Sequence, residues 1–62
     1  MDTRTKVVLQ AEPLFFERGY KLVSLQEICA KIKMKPASLY YHFPGGKEEL
    51  YLEVIRHRTD QF

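Results

Sequence analysis

The sequence predicts a small all-α domain, and three observations predict it. Apolar residues recur at spacings of three and four in four separate stretches, each stretch is bracketed by residues that start or stop helices, and no run alternates apolar with polar in the manner of a half-buried strand. With 62 residues the chain amounts to one domain, 1–62, which buries only about 60% of its unfolded surface. A hydrophobic content of 45%, including eight aromatics, suits a packed core. No apolar run is long enough for a membrane span, and nothing reads as a secretory signal. A single cysteine, Cys29, makes no internal disulfide, which fits a reducing, cytoplasmic setting. Ten Lys and Arg against eight Asp and Glu leave a formal charge of +2, which permits a polyanionic partner without requiring one.

The first helix is expected over about residues 3–18, where Val7, Val8, Ala11, Leu14 and Phe15 follow a helical period. Thr3 is a candidate N-cap and Asp2 a close rival. Pro13 lacks the N–H that would reach the Leu9 carbonyl, at about 3 kcal/mol, and predicts a kink. Starting the helix at Pro13 instead would leave a single turn before Gly19, which ends the helix because glycine takes positive φ readily.

Ser24-Leu25-Gln26-Glu27 has the form of a capping box and opens a second helix over about 25–33. Leu25, Ile28, Cys29 and Ile32 give it one apolar stripe, on which Cys29 reads as a small buried hydrophobe rather than a reactive thiol. Only Lys33, Met34 and Lys35 then intervene before Pro36, whose fixed φ suits a first helical position. Two short helices joined this tightly form a helix-turn-helix.

The third helix, about 36–43, is the centre of the functional reading. Pro36, Leu39 and Phe43 fall on one side, expected to be buried, while Ala37, Ser38 and Tyr41 lie opposite with Tyr40 and His42 on the flanks. A small-residue face edged by hydrogen-bonding aromatic tips suits close approach to another molecule. Phe43-Pro44-Gly45-Gly46 breaks the chain, and Lys47-Glu48-Glu49 opens a fourth helix over about 47–61 with acids well placed for its dipole. Leu50, Tyr51, Val54 and Ile55 form its expected core stripe, and Arg56, His57 and Arg58 suit its end. Leu52 and Phe62 stand off that stripe, which predicts a contact with something outside these residues.

The residues offer little to catalysis. The two histidines lie in different helices, no cysteine and histidine cluster has metal-ligand spacing, and no cofactor site is recognisable. Gly45-Gly46-Lys47 lacks both the first glycine and the Ser or Thr of a nucleotide phosphate loop. Free N–H groups beside Lys47 at a helix start would suit one DNA phosphate, although locally an ordinary loop with a solvated lysine is the simpler expectation.

Four blocks in order, Leu14-Phe15-Phe16-Glu17-Arg18-Gly19-Tyr20, Ser24 with Ile28, Ser38-Leu39-Tyr40-Tyr41-His42-Phe43 and Lys47-Glu48-Glu49-Leu50, resemble the N-terminal DNA-binding domain of the TetR family of bacterial transcriptional regulators. The resemblance covers nearly the whole chain. It implies a homeodomain-like domain of the tetracycline-repressor N-terminal type, three helices plus the start of a fourth, in a cytoplasmic, nucleoid-associated, ligand-responsive regulator, usually a repressor. It also implies a homodimer on a palindromic double-stranded operator, joined through a larger C-terminal domain that is missing from these residues and holds the small-molecule effector. By the same match Ser24 and Lys47 would hold phosphates, while Lys35, Pro36, Ala37, Ser38, Tyr40, Tyr41 and His42 would face the major groove or its walls. The chemistry agrees, since tyrosine and histidine tips donate to phosphate and Lys35 has the reach for a guanine edge. Three residues depart from the family pattern: Pro13 within the first helix, Lys33 in place of a turn glycine and Lys35 in place of a Ser or Thr cap. The competing expectation, from another class, is a helical module that binds a partner protein through the Tyr40–Tyr41 surface.

Overall fold

The computed structural model describes residues 2–60. Four helices follow in order, α1 (Thr3–Arg18), α2 (Leu25–Ile32), α3 (Pro36–His42) and α4 (Gly46–Asp60), with no strand among the described residues. Phe62 lies outside the described residues.

Asp2 rather than Thr3 caps α1, its Oδ1 accepting the Thr5 N–H at 2.8 Å. That backbone hydrogen bond holds the Asp2 carboxyl below its ordinary pKa. A carboxylate also complements the helix dipole, which a threonine hydroxyl does not. Pro13 lies inside α1 and is exposed, outside the core that α1 contributes to. Gly19, at φ 85°, closes the helix by donating its N–H to the Phe15 carbonyl at 2.8 Å.

The core gathers Val7, Val8, Ala11 and Phe15 of α1, Ile28 and Cys29 of α2, Leu39 of α3, Phe43 after it, and Leu50 and Val54 of α4. Val23 joins them, fully buried although it lies in a loop. It stands just before the Ser24 cap and Ile28 stands four positions after that cap, the two places of a hydrophobic staple. Met34 and Leu39 occupy the same two places around Lys35, and Met34 packs against the core.

Three expectations fail in detail. Pro36 is exposed, because the apolar contact at the entry to α3 comes from Met34 and the inner side of α3 begins only at Leu39. Ile55 is exposed as well, leaving Leu50, Val54 and half-buried Tyr51 to face α1. Lys33 and Phe43 are terminal caps rather than helical residues. Lys33 takes the left-handed conformation, φ 57° and ψ 46°, which lets Met34 donate its N–H back to the Cys29 carbonyl at 3.0 Å. A side chain there costs about 1 kcal/mol against glycine.

An aromatic group binds the exit of α1 to α4. The Phe15 and Tyr51 rings meet edge to face at 5.1 Å, and Tyr20 lies 4.8 Å from Tyr51. Further along the same interface His57 Nδ1 faces Glu12 Oε2 at 3.9 Å, and the Arg58 guanidinium lies 4.3 Å over Phe16. The basic residues at the end of α4 therefore make tertiary contacts with α1.

Candidate nucleic-acid interface

Leu39 and Phe43 are fully buried, and this fixes which side of α3 looks outward. Lys35, Pro36, Ala37 and Ser38 are all exposed at its leading end. Lys35 occupies the N-cap, where an ammonium has no acceptor with which to cap, and its exposed side chain can extend outward. Proline and alanine beside it add little bulk, and Ser38 offers a hydroxyl.

At the trailing end Tyr41 is 80% exposed, an unusual position for a ring that no neighbour covers. Its nearest aromatic contact is the edge of His42, at 5.1 Å. The His42 side chain is half-buried.

Tyr40 is half-exposed and rests on glycine. Gly46 has φ 71°, and a Cβ there would come within 3.2 Å of Tyr40 Cε1 and 3.6 Å of Leu25 Cδ1. The starts of α2 and α4 thus converge on the Tyr40 ring. Ser24 and Lys47 are the chain neighbours of Leu25 and Gly46 at that contact, while Lys35 to Ser38 occupy the other end of α3.

Ser24 Oγ accepts the Glu27 N–H at 3.1 Å, and Glu27 Oε1 accepts the Ser24 N–H at 3.2 Å. The serine hydroxyl hydrogen remains for an outside acceptor. Glu27 is held in turn by Arg18, which joins the end of α1 to the start of α2. Lys47 is half-buried, with Nζ 4.2 Å over the Tyr20 ring, rather than freely solvated. The free N–H groups expected at Gly45 and Gly46 are not free. Gly45 N–H donates to Glu49 Oε1 at 2.7 Å and Gly46 N–H to the Phe43 carbonyl at 2.8 Å. The double glycine completes a turn and admits Tyr40, and an anion at this helix start has only the following N–H groups and Lys47 to bind.

The sequence reading missed Arg4 altogether. Its Nη1 donates to the His42 carbonyl at 2.6 Å, its Nη2 lies 3.5 Å from Glu49 and 3.8 Å from Glu53, and its guanidinium covers the Phe43 ring at 4.5 Å. No local pattern marks it, since every partner lies at least 38 residues away in sequence.

Cys29 is buried, and burial pushes its thiol pKa up, which suits packing and not chemistry. Among the described residues no group of three or more His, Cys, Asp or Glu is placed to hold a metal ion.

Comparison with known proteins gives a consistent family. The model for "Bacterial regulatory proteins, tetR family" matches residues 8–54. The HTH-type transcriptional regulator LmrA of Bacillus subtilis is 43% identical over 54 residues, covering 87% of this chain and 29% of that protein. The biofilm operon icaADBC HTH-type negative transcriptional regulator IcaR of Staphylococcus epidermidis is 36% identical over 59 residues, 95% of this chain and 31% of that protein. The chain thus spans under a third of the length of these curated relatives. No solved structure matches it. The family match covers most of the chain, takes in both helices of the helix-turn-helix and meets an all-helical architecture with no strand among the described residues, so this chain belongs to the tetR family of bacterial regulatory proteins.

Proposed function

We propose that this chain binds double-stranded DNA in a bacterial transcriptional regulator and that α3 is its recognition helix. The observation that carries the reading is the division of α3. Leu39 anchors it in the core, while Lys35, Pro36, Ala37 and Ser38 leave its leading end outside with a free cation and little steric bulk. In this reading that end enters the major groove, and Tyr40, Tyr41 and His42 line its wall. Ser24 and Lys47, at the starts of α2 and α4, take phosphates on either side. Relatives named as HTH-type transcriptional regulators, one of them a negative regulator, support a repressor's role.

The full regulator is a homodimer on a palindromic operator, its two copies of α3 about 34–36 Å apart. A small-molecule effector acts outside this segment, and the protein is cytoplasmic and nucleoid-associated. Binding to duplex DNA, measured from low to moderate salt on sites selected from random sequence, tests the core of the proposal. Sequence-selective binding whose affinity falls steeply with salt is expected. No affinity for duplex DNA even at low salt overturns it.

A further inference from the structure

Helix α3 has few residues of its own in the core. Leu39 is its only fully buried side chain, and the chain after it is anchored by Phe43. Besides Phe43 and the Tyr40 ring against Gly46, a polar contact from the far end of the sequence holds its trailing end. Arg4, in the first turn of α1, donates Nη1 to the His42 carbonyl at 2.6 Å, and its guanidinium covers the Phe43 ring. The same guanidinium stands 3.5 Å from Glu49 Oε2, and the other oxygen of Glu49 accepts the Gly45 N–H at 2.7 Å. Glu53, one turn further along α4, lies 3.8 Å away. One cation therefore joins the start of α1, the last carbonyl of α3, the turn after it and the first turns of α4. A carbonyl at a helix C-terminus has no intrahelical partner and carries the negative end of the dipole, so a guanidinium is the fitting donor. Arg4 keeps 44% of its side chain exposed, but its forked donors are directed into the protein.

We infer that Arg4 is a positioning residue for DNA reading: by clamping the His42 carbonyl to α4 it fixes the angle at which α3 meets the duplex, without itself contacting DNA. The inference rests on α3 being the recognition helix. A recognition helix that is correctly placed only part of the time binds its operator more weakly by that fraction. Non-specific binding is mostly backbone electrostatics and depends little on the angle of α3. Loss of the clamp should therefore reduce discrimination more than general affinity. Loss of a phosphate contact would lower both and flatten the salt dependence.

The experiment uses the full-length protein and operator duplexes selected from random DNA, with Arg4→Ala and Arg4→Lys. Kd is measured on the operator and on a scrambled duplex over a range of salt. Arg4→Lys is the deciding variant, because it keeps the charge and a foldable α1 but loses the fork that reaches a carbonyl and a carboxylate together. Both variants should lose about tenfold in operator affinity, the scale of a charge-assisted hydrogen bond. Affinity for the scrambled duplex should change much less, and the slope of log K against log salt should stay at the parent value. Full recovery of operator affinity by Arg4→Lys overturns the inference, as does a salt slope reduced by about one unit in Arg4→Ala. A parent protein that binds no duplex overturns the recognition-helix reading instead.

Discussion

The Lys47 ammonium lies 4.2 Å from the centroid of the Tyr20 ring, which ties the first turn of α4 to the segment that leaves α1. Tyr20 in turn packs near Tyr51 and Phe15. A lysine on a glycine-rich turn would ordinarily sweep through solvent. Here its stem and charge are held over an aromatic face, so the cation is presented in one place and less side-chain entropy is lost when it meets an anion.

That placement separates Lys47 from Lys35. Lys47→Ala is expected to weaken binding to every duplex sequence alike, to reduce the salt slope by about 1 unit and, through the lost cation–π contact, to lower stability by about 0.5–1 kcal/mol. Lys35→Ala should cost roughly 1–3 kcal/mol on the preferred operator and much less on variants altered at one position per half-site. Both mutants are measured against the operator and its single-base variants. Equal losses across all variants for both lysines would remove Lys35 from base readout.

Leu39 is fully buried and is the core residue that α3 itself supplies. Leu39→Ala should cost roughly 2–5 kcal/mol, comparable with the whole stability of so small a domain. The measurement is a thermal melt followed by circular dichroism. An unchanged melt would mean that α3 is oriented differently.

Pro13 is exposed within α1 and takes no part in the core. Pro13→Ala restores a donor to the Leu9 carbonyl and removes the ring clash. It gives back some unfolded-state entropy, for a net gain of about 2 kcal/mol. The melting temperature should rise. A fall would show that the proline has a structural role in α1.

Asp2 supplies a pH-dependent share of the stability of α1. Its folded pKa is depressed, chiefly by the backbone hydrogen bond from Thr5, so the unfolded chain binds the proton more readily. The stabilisation is fully present above the ordinary value of 3.8 and is lost as pH falls through the lower, folded value. Asp2→Asn keeps a capping oxygen without the titration. The parent and Asp2→Asn should melt alike at pH 7, and the parent should lose ground to the variant in acid below 3.8. Parallel melting curves at every pH would show that the charge of the Asp2 carboxylate contributes nothing to the cap.

Helix starts and their apolar stripes are written in residues a few positions apart, and such features were legible. Ser24 with Glu27 defines one start, Pro36 another, and the i, i+3, i+4 pattern from Leu25 to Ile32 locates the inner side of α2. The expectation that Pro36 would be buried failed because periodicity assigns a side of a helix but not how far along that side the core extends. The roles of Gly46, Lys47 and Arg4 were illegible for a related reason. Gly46 takes φ 71° with Tyr40, six residues earlier, close against it; Lys47 is held because Tyr20 comes beneath it; and Arg4 finds its acceptor at His42. Local hydrogen bonding and side-chain periodicity act over one helical turn, so the sequence determined the helices and the family by itself. The contacts that orient α3 join different helices, Arg4 of α1 with His42 of α3 and Gly46 of α4 with Tyr40, and only the tertiary packing of those helices decided them.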